Sequence, residues 1–208
     1  MQDFKTSGQR GAEVGKIIYI MGKSSSGKDT IFREILRENS LGLKTIVPYT
    51  TRPIREGERN GVEYHFVDEE GFKKLKASGK VVEDRCYQTI HGPWRYFTAD
   101  DGQIKESENY ITIGTLESFL KVREYFGKER MIPVLVELDD GIRLQRALNR
   151  ERKQATPKYE EMCRRFLADS EDFSEDKILT AGIKRRFVNN ELTDCLNEIR
   201  TYIEQEMA

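Results

Sequence analysis

The stretch Gly22-Lys23-Ser24-Ser25-Ser26-Gly27-Lys28 constrains the fold of this chain more than any other feature. An apolar run, Ile17-Ile18-Tyr19-Ile20-Met21, precedes it, and Ile31-Phe32-Arg33-Glu34-Ile35-Leu36 follows with helical spacing. A buried strand that turns through G-x-x-x-x-G-K into a helix is the context of a phosphate-binding P-loop. Its two glycines let successive backbone N–H groups point at one phosphate chain, and the helix N-terminus adds its positive end. Lys28 supplies an ammonium for terminal phosphates, so Gly22 to Thr30 is the expected triphosphate cradle. Asp29 stands where such loops carry the hydroxyl that holds Mg²⁺, with Thr30 directly behind it. Either can offer a hard oxygen to Mg²⁺, and its place at the first helical turn favours Asp29.

Length, charge and cysteines set the remaining bounds. A chain of 208 residues fits one domain. Charged residues make up 34% of it yet cancel to a net charge of −1, which leaves no overall field for nucleic acid or an anionic membrane. Cys86, Cys163 and Cys195 lie far apart without C-x-x-C spacing, and read as small buried hydrophobes in a reducing, cytoplasmic setting. No apolar run approaches the roughly 18 residues of a membrane span. Residues 1–14 carry no signal-peptide core and are expected to be a flexible extension ahead of a domain covering 15–208.

Along the chain, Leu43 to Val47 reads as a short strand stopped by Pro48, and Thr50 to Gly61 as a loop. Val62 to Val67 alternates with period two and predicts a strand, followed by a helix over Glu69 to Ser78. Val81 through Tyr87 and Trp94 through Thr98 predict two further strands, making 48–98 a small, mostly β insertion. From Asp100 the pattern predicts a short helix, the strand Tyr110 to Ile113, a helix through Phe119, Val122 and Phe126, and the strand Met131 to Leu138. Gly141 to Arg152 reads as a helix with Arg143, Arg146 and Arg150 on one face. Pro157 starts another helix bearing Arg164 and Arg165, then come a strand at Phe187-Val188 and a last helix striped by Leu192, Leu196, Ile199 and Ile203. Continuous apolar strands alternating with helices imply an α/β fold, a parallel sheet flanked by helices.

Thr50-Thr51-Arg52-Pro53-Ile54-Arg55-Glu56-Gly57-Glu58 is followed by Asn60-Gly61-Val62-Glu63-Tyr64-His65-Phe66-Val67. This closely resembles the T-T-R-x-x-R-x-G-E…N-G-x-D-Y-x-F-V signature of the guanylate kinase family, and with the P-loop the resemblance covers Lys16 to the C-terminus. It implies the P-loop nucleoside monophosphate kinase fold: a core of 15–47, 99–140 and 170–208, a GMP-binding region at 48–98, and a helical lid at about 141–169. The implied activity is transfer of phosphate from ATP to GMP and dGMP, with Mg²⁺, in purine nucleotide metabolism. In that scheme Arg52, Arg55 and Tyr64 hold the GMP phosphate, for which forked guanidinium donors are well shaped. Glu83 reads guanine, whose two adjacent Watson–Crick donors adenine lacks, and Tyr96 and Thr98 complete that side. Lys28 with Arg146, Arg150 and Arg165 neutralises the phosphoryl group in flight. Asn189 lies by the adenine of ATP. His65 and His91 read as structural, and Trp94 as core.

The chain departs from that family pattern at Asp29, at Pro48, where a serine commonly touches GMP, and at Ile111-Thr112-Ile113-Gly114, where an L-[DE]-x-D strand end is usual. These departures leave two other readings: a kinase for a different nucleoside monophosphate, or a guanylate-kinase-like binding module. The altered acceptor positions raise the first; Lys28 and the lid arginines argue against the module, and Asp29 and Gly114 are what the module predicts.

Overall fold

The computed structural model describes residues 14–55, 57–89 and 92–208. The expected extension, Glu56 and His91 therefore lie wholly or almost wholly outside the described residues.

Five parallel strands form the main sheet, in the order β2 (Lys44–Thr45), β7 (Tyr110–Gly114), β1 (Ile17–Met21), β8 (Met131–Glu137), β9 (Arg186–Val188). β1 is central, and all five of its residues are buried, because a parallel strand covered on both faces has no solvent side to make polar. Alternate residues enter different cores. Ile18 and Ile20 pack with Ile31 and Ile35 of α1 (Lys28–Glu38) and Ile199 and Ile203 of α7 (Leu192–Met207). Ile17, Tyr19 and Met21 pack with Phe119 and Val122 of α3 (Leu116–Phe126) and Ile178 of α6 (Glu175–Thr180). Since β1 has β7 on one side and β8 on the other, the loop after it opens at a topological switch point, the usual place for a ligand in such sheets.

A second sheet carries β4 (His65–Phe66), β3 (Tyr49–Thr50), β6 (Gly92–Ala99) and β5 (Val81–Thr89), in that order. β3 runs antiparallel to β6 and parallel to β4, and β5 and β6 form an antiparallel hairpin that sets Glu83 opposite Thr98. With α2 (Glu69–Ala77) it has its own small core of Tyr49, Phe72, Phe97 and Ala99. α4 (Asp140–Arg152) and α5 (Tyr159–Asp172) pack together as a helical pair.

Several local expectations are corrected. Of 62–67 only His65–Phe66 is strand, because side chains capture the backbone: Glu63 accepts from the Arg59 N–H and Asn60 from the Phe66 N–H. Val62 is consequently exposed rather than sharing a buried face. No helix follows Asp100; Gln103 holds that segment as a loop by bonding Val47 and Ala99, while its carbonyl accepts from the Tyr110 hydroxyl. The helix expected at Pro157 starts at Tyr159, after Glu151 has taken the Lys158 N–H. Cys86 and Cys163 are exposed, and Cys195 alone fits the buried role. β3 and α6, two and six residues long, had no periodicity to announce them.

Candidate functional site

The loop between β1 and α1 needs both of its glycines. A side chain at Gly22 would run into the Val136 carbonyl, and one at Gly27, where φ is 94°, into the amide of Asn189. Ser25 adopts the left-handed conformation as well, with φ 65°, although it is not glycine. The hydroxyls of Ser25 and Ser26 are buried without a hydrogen-bond partner among the described residues. Lys28 and Asp29 open α1, where helix geometry leaves the first backbone N–H groups without an intrahelical carbonyl. Lys28 Nζ is 3.5 Å from Asp29 Oδ2, a loose pair whose carboxylate is 75% exposed. Thr30 is half-buried behind it. Unclaimed donors, a cation and the positive end of a helix converge here, which is an anion cradle.

The cradle is braced from two directions. Asn189, buried just beyond β9, donates Nδ2–H to the Ser26 carbonyl at 2.8 Å. Arg143 of α4 donates to the Ser24 carbonyl at 3.0 Å, pairs with Asp140 at 3.0 Å, and lies over the Phe166 ring. Asp169 of α5 accepts the Ser24 N–H at 2.7 Å, and Lys23 Nζ sits 3.4 Å from Asp140. The predicted face of three arginines is thus split by burial. Arg143 is an anchor at 1% exposure, whereas Arg146 and Arg150 are exposed. Arg146 reaches the cradle, its Nη1 lying 3.8 Å from where a side chain on Gly27 would begin. Arg165 is instead held on its own helix by Glu161 at 2.9 Å; the hydrogen bond from Arg164, then that from Arg165, pulls the Glu161 pKa down to about 2.

Across from the cradle, the second sheet gathers the other predicted residues. Arg52, 3% exposed, forks onto both oxygens of Glu58 at 3.0 and 2.8 Å, donates to the Pro53 carbonyl, and stacks 5.5 Å from the rings of Tyr64 and Phe66. Its Nε is buried without a hydrogen-bond partner among the described residues. Arg55 is exposed, with its N–H bonded to Glu58. Tyr64 and Tyr96 meet edge to face at 5.7 Å. Burial raises the Tyr64 pKa, and the charges acting on it include Arg52, Arg85 and, from the cradle, Asp29. Glu83 is buried at 4% exposure, with Oε1 accepting from Thr98 at 2.9 Å and Oε2 from Arg85 at 3.1 Å. At the departing strand end, a side chain on Gly114 would collide with the Tyr19 hydroxyl and Ser118 Oγ, which bond each other at 2.7 Å. Tyr19 thereby fills the space that a carboxylate at position 114 would need, and burial pushes its own pKa up.

Sequence reasoning passed over Glu58, Arg85 and the Arg143–Asp169 brace. Glu58 lay inside the quoted signature, and Arg85 is two residues after Glu83, hence on the same strand face. Nothing in the sequence pairs Asp169 with Ser24.

The family model described as guanylate kinase matches residues 14–92. A guanylate kinase of Porphyromonas gingivalis is 28% identical over 197 residues, covering 93% of this chain and 98% of that protein. One from Neisseria gonorrhoeae is 41% identical over 88 residues, 42% of this chain and 40% of that protein. The crystal structure of guanylate kinase from Anaplasma phagocytophilum superposes with a TM-score of 0.63 at 20% identity, covering 94% of this chain and 88% of that one, a likeness of fold. A P-loop at the switch point of a parallel sheet, the Arg52-to-Phe66 segment facing it on a second sheet, and a relative aligned over nearly its whole length lead to one conclusion: the chain is similar to guanylate kinases in sequence and in fold.

Proposed function

We propose that this protein transfers the terminal phosphoryl group of ATP to GMP, and to dGMP, as a cytoplasmic enzyme of purine nucleotide metabolism. Residues 48–98 serve as the acceptor region and 141–169 as the lid. The observation that carries the reading is the confrontation of two sites of different chemistry, an anion cradle around Lys28 and a buried carboxylate at Glu83 with Arg52, Tyr64, Tyr96 and Thr98 on or beside the same sheet; Arg55 extends that side from the adjoining loop.

The nucleotide triphosphate lies on Gly22 to Thr30, where backbone donors and the Ser25 and Ser26 hydroxyls meet phosphate oxygens. Asn189, committed to Ser26, acts by holding that loop in shape beneath the nucleotide. Lys28 and Arg146 supply positive charge where it develops on the phosphoryl group, and Arg150 and Arg165 join only as the lid closes and expels water. Phosphoryl transfer asks for such charge neutralisation more than for a base.

Mg²⁺ fits the residues present as an ion carried by the nucleotide. Among the described residues no three His, Cys, Asp or Glu side chains cluster, so there is no all-protein cage, while Asp29 offers one exposed hard oxygen beside Lys28. Asp29, or Thr30 behind it, would hold the ion, which supplies neutralising charge to the phosphates. No helix among the described residues is long and apolar enough to cross a membrane.

The Tyr19–Ser118 filling at Gly114 is what a different acceptor would exploit. A coupled assay with ATP-Mg²⁺ and GMP, dGMP, AMP, CMP and UMP decides this. Preference for the guanine nucleotides supports the reading, equal use of AMP overturns it, and GMP binding without turnover points to the binding module.

A further inference from the structure

Glu83 does not face the acceptor cleft alone. Arg85 lies on the same face of β5, its side chain 16% exposed against 1% for Glu83, and its Nε donates to Glu83 Oε2 at 3.1 Å. Its Nη1 donates to Thr115 Oγ1 at 3.2 Å. Thr115 is itself fixed as the N-cap of α3, in a reciprocal capping box with Ser118. The guanidinium is therefore pinned at two points, at the carboxylate and at the helix cap, and its terminal Nη2 group donates to nothing among the described residues. Each Glu83 oxygen has accepted one bond, from Thr98 or from Arg85, and keeps a lone pair. The pair presents a row of donor, acceptor, acceptor.

Guanine presents the complement along its Watson–Crick edge: the 6-oxo acceptor, then the 1-N–H and 2-amino donors. Adenine offers a donor at position 6 and a lone pair at position 1, so it meets a guanidinium with an N–H and a carboxylate with a lone pair. Such opposed groups reject a ligand more strongly than a missing contact does. Resting on the reading of this cleft as the acceptor site, we infer that Arg85 is a second base-reading residue, donating to the 6-oxo oxygen of the acceptor purine while Glu83 accepts from positions 1 and 2. It sets specificity by what it excludes as much as by what it binds.

The test compares GMP, IMP, AMP and 2-aminopurine riboside monophosphate as acceptors for the unmodified protein, Arg85→Met and Arg85→Lys. GMP and IMP carry the 6-oxo group, and the 2-aminopurine nucleotide does not. Arg85→Met should lower kcat/KM for GMP and IMP by about 10- to 100-fold, the range of one bidentate base contact. The 2-aminopurine nucleotide should change by less than about 3-fold, AMP should gain relative to GMP, and the KM for ATP should stay put. Arg85→Lys, which keeps a donor, should retain most of the GMP preference. An equal fall for all four acceptors would assign Arg85 to positioning Glu83 and overturn the inference, as would an unchanged ratio of GMP to the 2-aminopurine nucleotide. Should Arg85→Met not fold, Arg85→Lys and the unmodified protein still decide. Equal use of GMP and the 2-aminopurine nucleotide by the unmodified protein contradicts 6-oxo reading. No turnover of GMP by the unmodified protein would instead remove the acceptor reading beneath it.

Discussion

The side-chain amide of Asn189 donates to the Ser26 carbonyl at 2.8 Å and occupies the space that any side chain on Gly27 would need. The end of the sheet's last strand and the P-loop are therefore one mechanical unit. Asn189→Ala leaves a buried carbonyl without its donor, which costs about 1–3 kcal/mol. Urea unfolding should show that loss together with a raised KM for ATP and an unchanged KM for GMP. Stability lost with no change for ATP would separate Asn189 from the nucleotide loop.

Arg52 and Arg146 should act on different substrates. Arg52 lies in the second sheet, forked onto Glu58, whereas Arg146 abuts Gly27. Arg52→Lys keeps the charge but loses the planar fork, so it should raise the KM for GMP by about 10-fold or more with ATP unaffected. Arg146→Ala should mainly lower kcat, by up to about 10³-fold if it neutralises the transferring group. Steady-state kinetics with both nucleotides varied checks the division, and it fails if the two variants shift the same parameter.

Arg52 also makes the acceptor side sensitive to acid. Its hydrogen bonds are the largest influence on Glu58 and, against the opposing effect of burial, hold the Glu58 pKa below the ordinary value. A carboxylate with a lowered folded pKa contributes stability that is fully present above its unfolded value, about 4.3, and is lost as pH falls through the folded value below it. Thermal unfolding between pH 3 and 6 should therefore show a decline at the acid end that Glu58→Gln reduces. An identical pH profile in that variant would place the acid lability elsewhere.

Asp29 is 75% exposed and pairs loosely with Lys28, at 3.5 Å. A carboxylate beside a triphosphate repels it unless a cation lies between them. Asp29→Asn should raise the Mg²⁺ concentration for half-maximal activity, and Asp29→Ser should bring it back down. Unchanged dependence in Asp29→Asn, with Thr30→Ala inactive, would move the role to Thr30.

What the sequence disclosed follows from where structure is over-determined. β1, the P-loop and α1 were legible because five consecutive buried residues, two obligatory glycines and an amphipathic run all specify one geometry. The 62–64 segment was not, since its period-two pattern is overruled by Asn60 and Glu63, whose side chains bond the backbone before a ladder can form. The 100–109 loop depends on Gln103, a tertiary staple with no local signature. In the candidate site, residue types near the P-loop could be read directly, but burial divided them: Arg143 became an anchor and Arg165 an exposed ion pair. Arg85 was overlooked because its meaning comes from Thr115, which is 30 residues away and reaches it only through the packing of α3 on β5.

The most direct measurement follows the phosphorus atom. ATP labelled at the γ-phosphate is incubated with Mg²⁺, GMP and the protein, and the nucleotides are separated. The account predicts that label appears in the β-phosphate of GDP in step with ADP formation, with little free phosphate, and that GMP is needed for ATP to be consumed. Label recovered as inorganic phosphate, or ATP left intact while GMP binds, would contradict it.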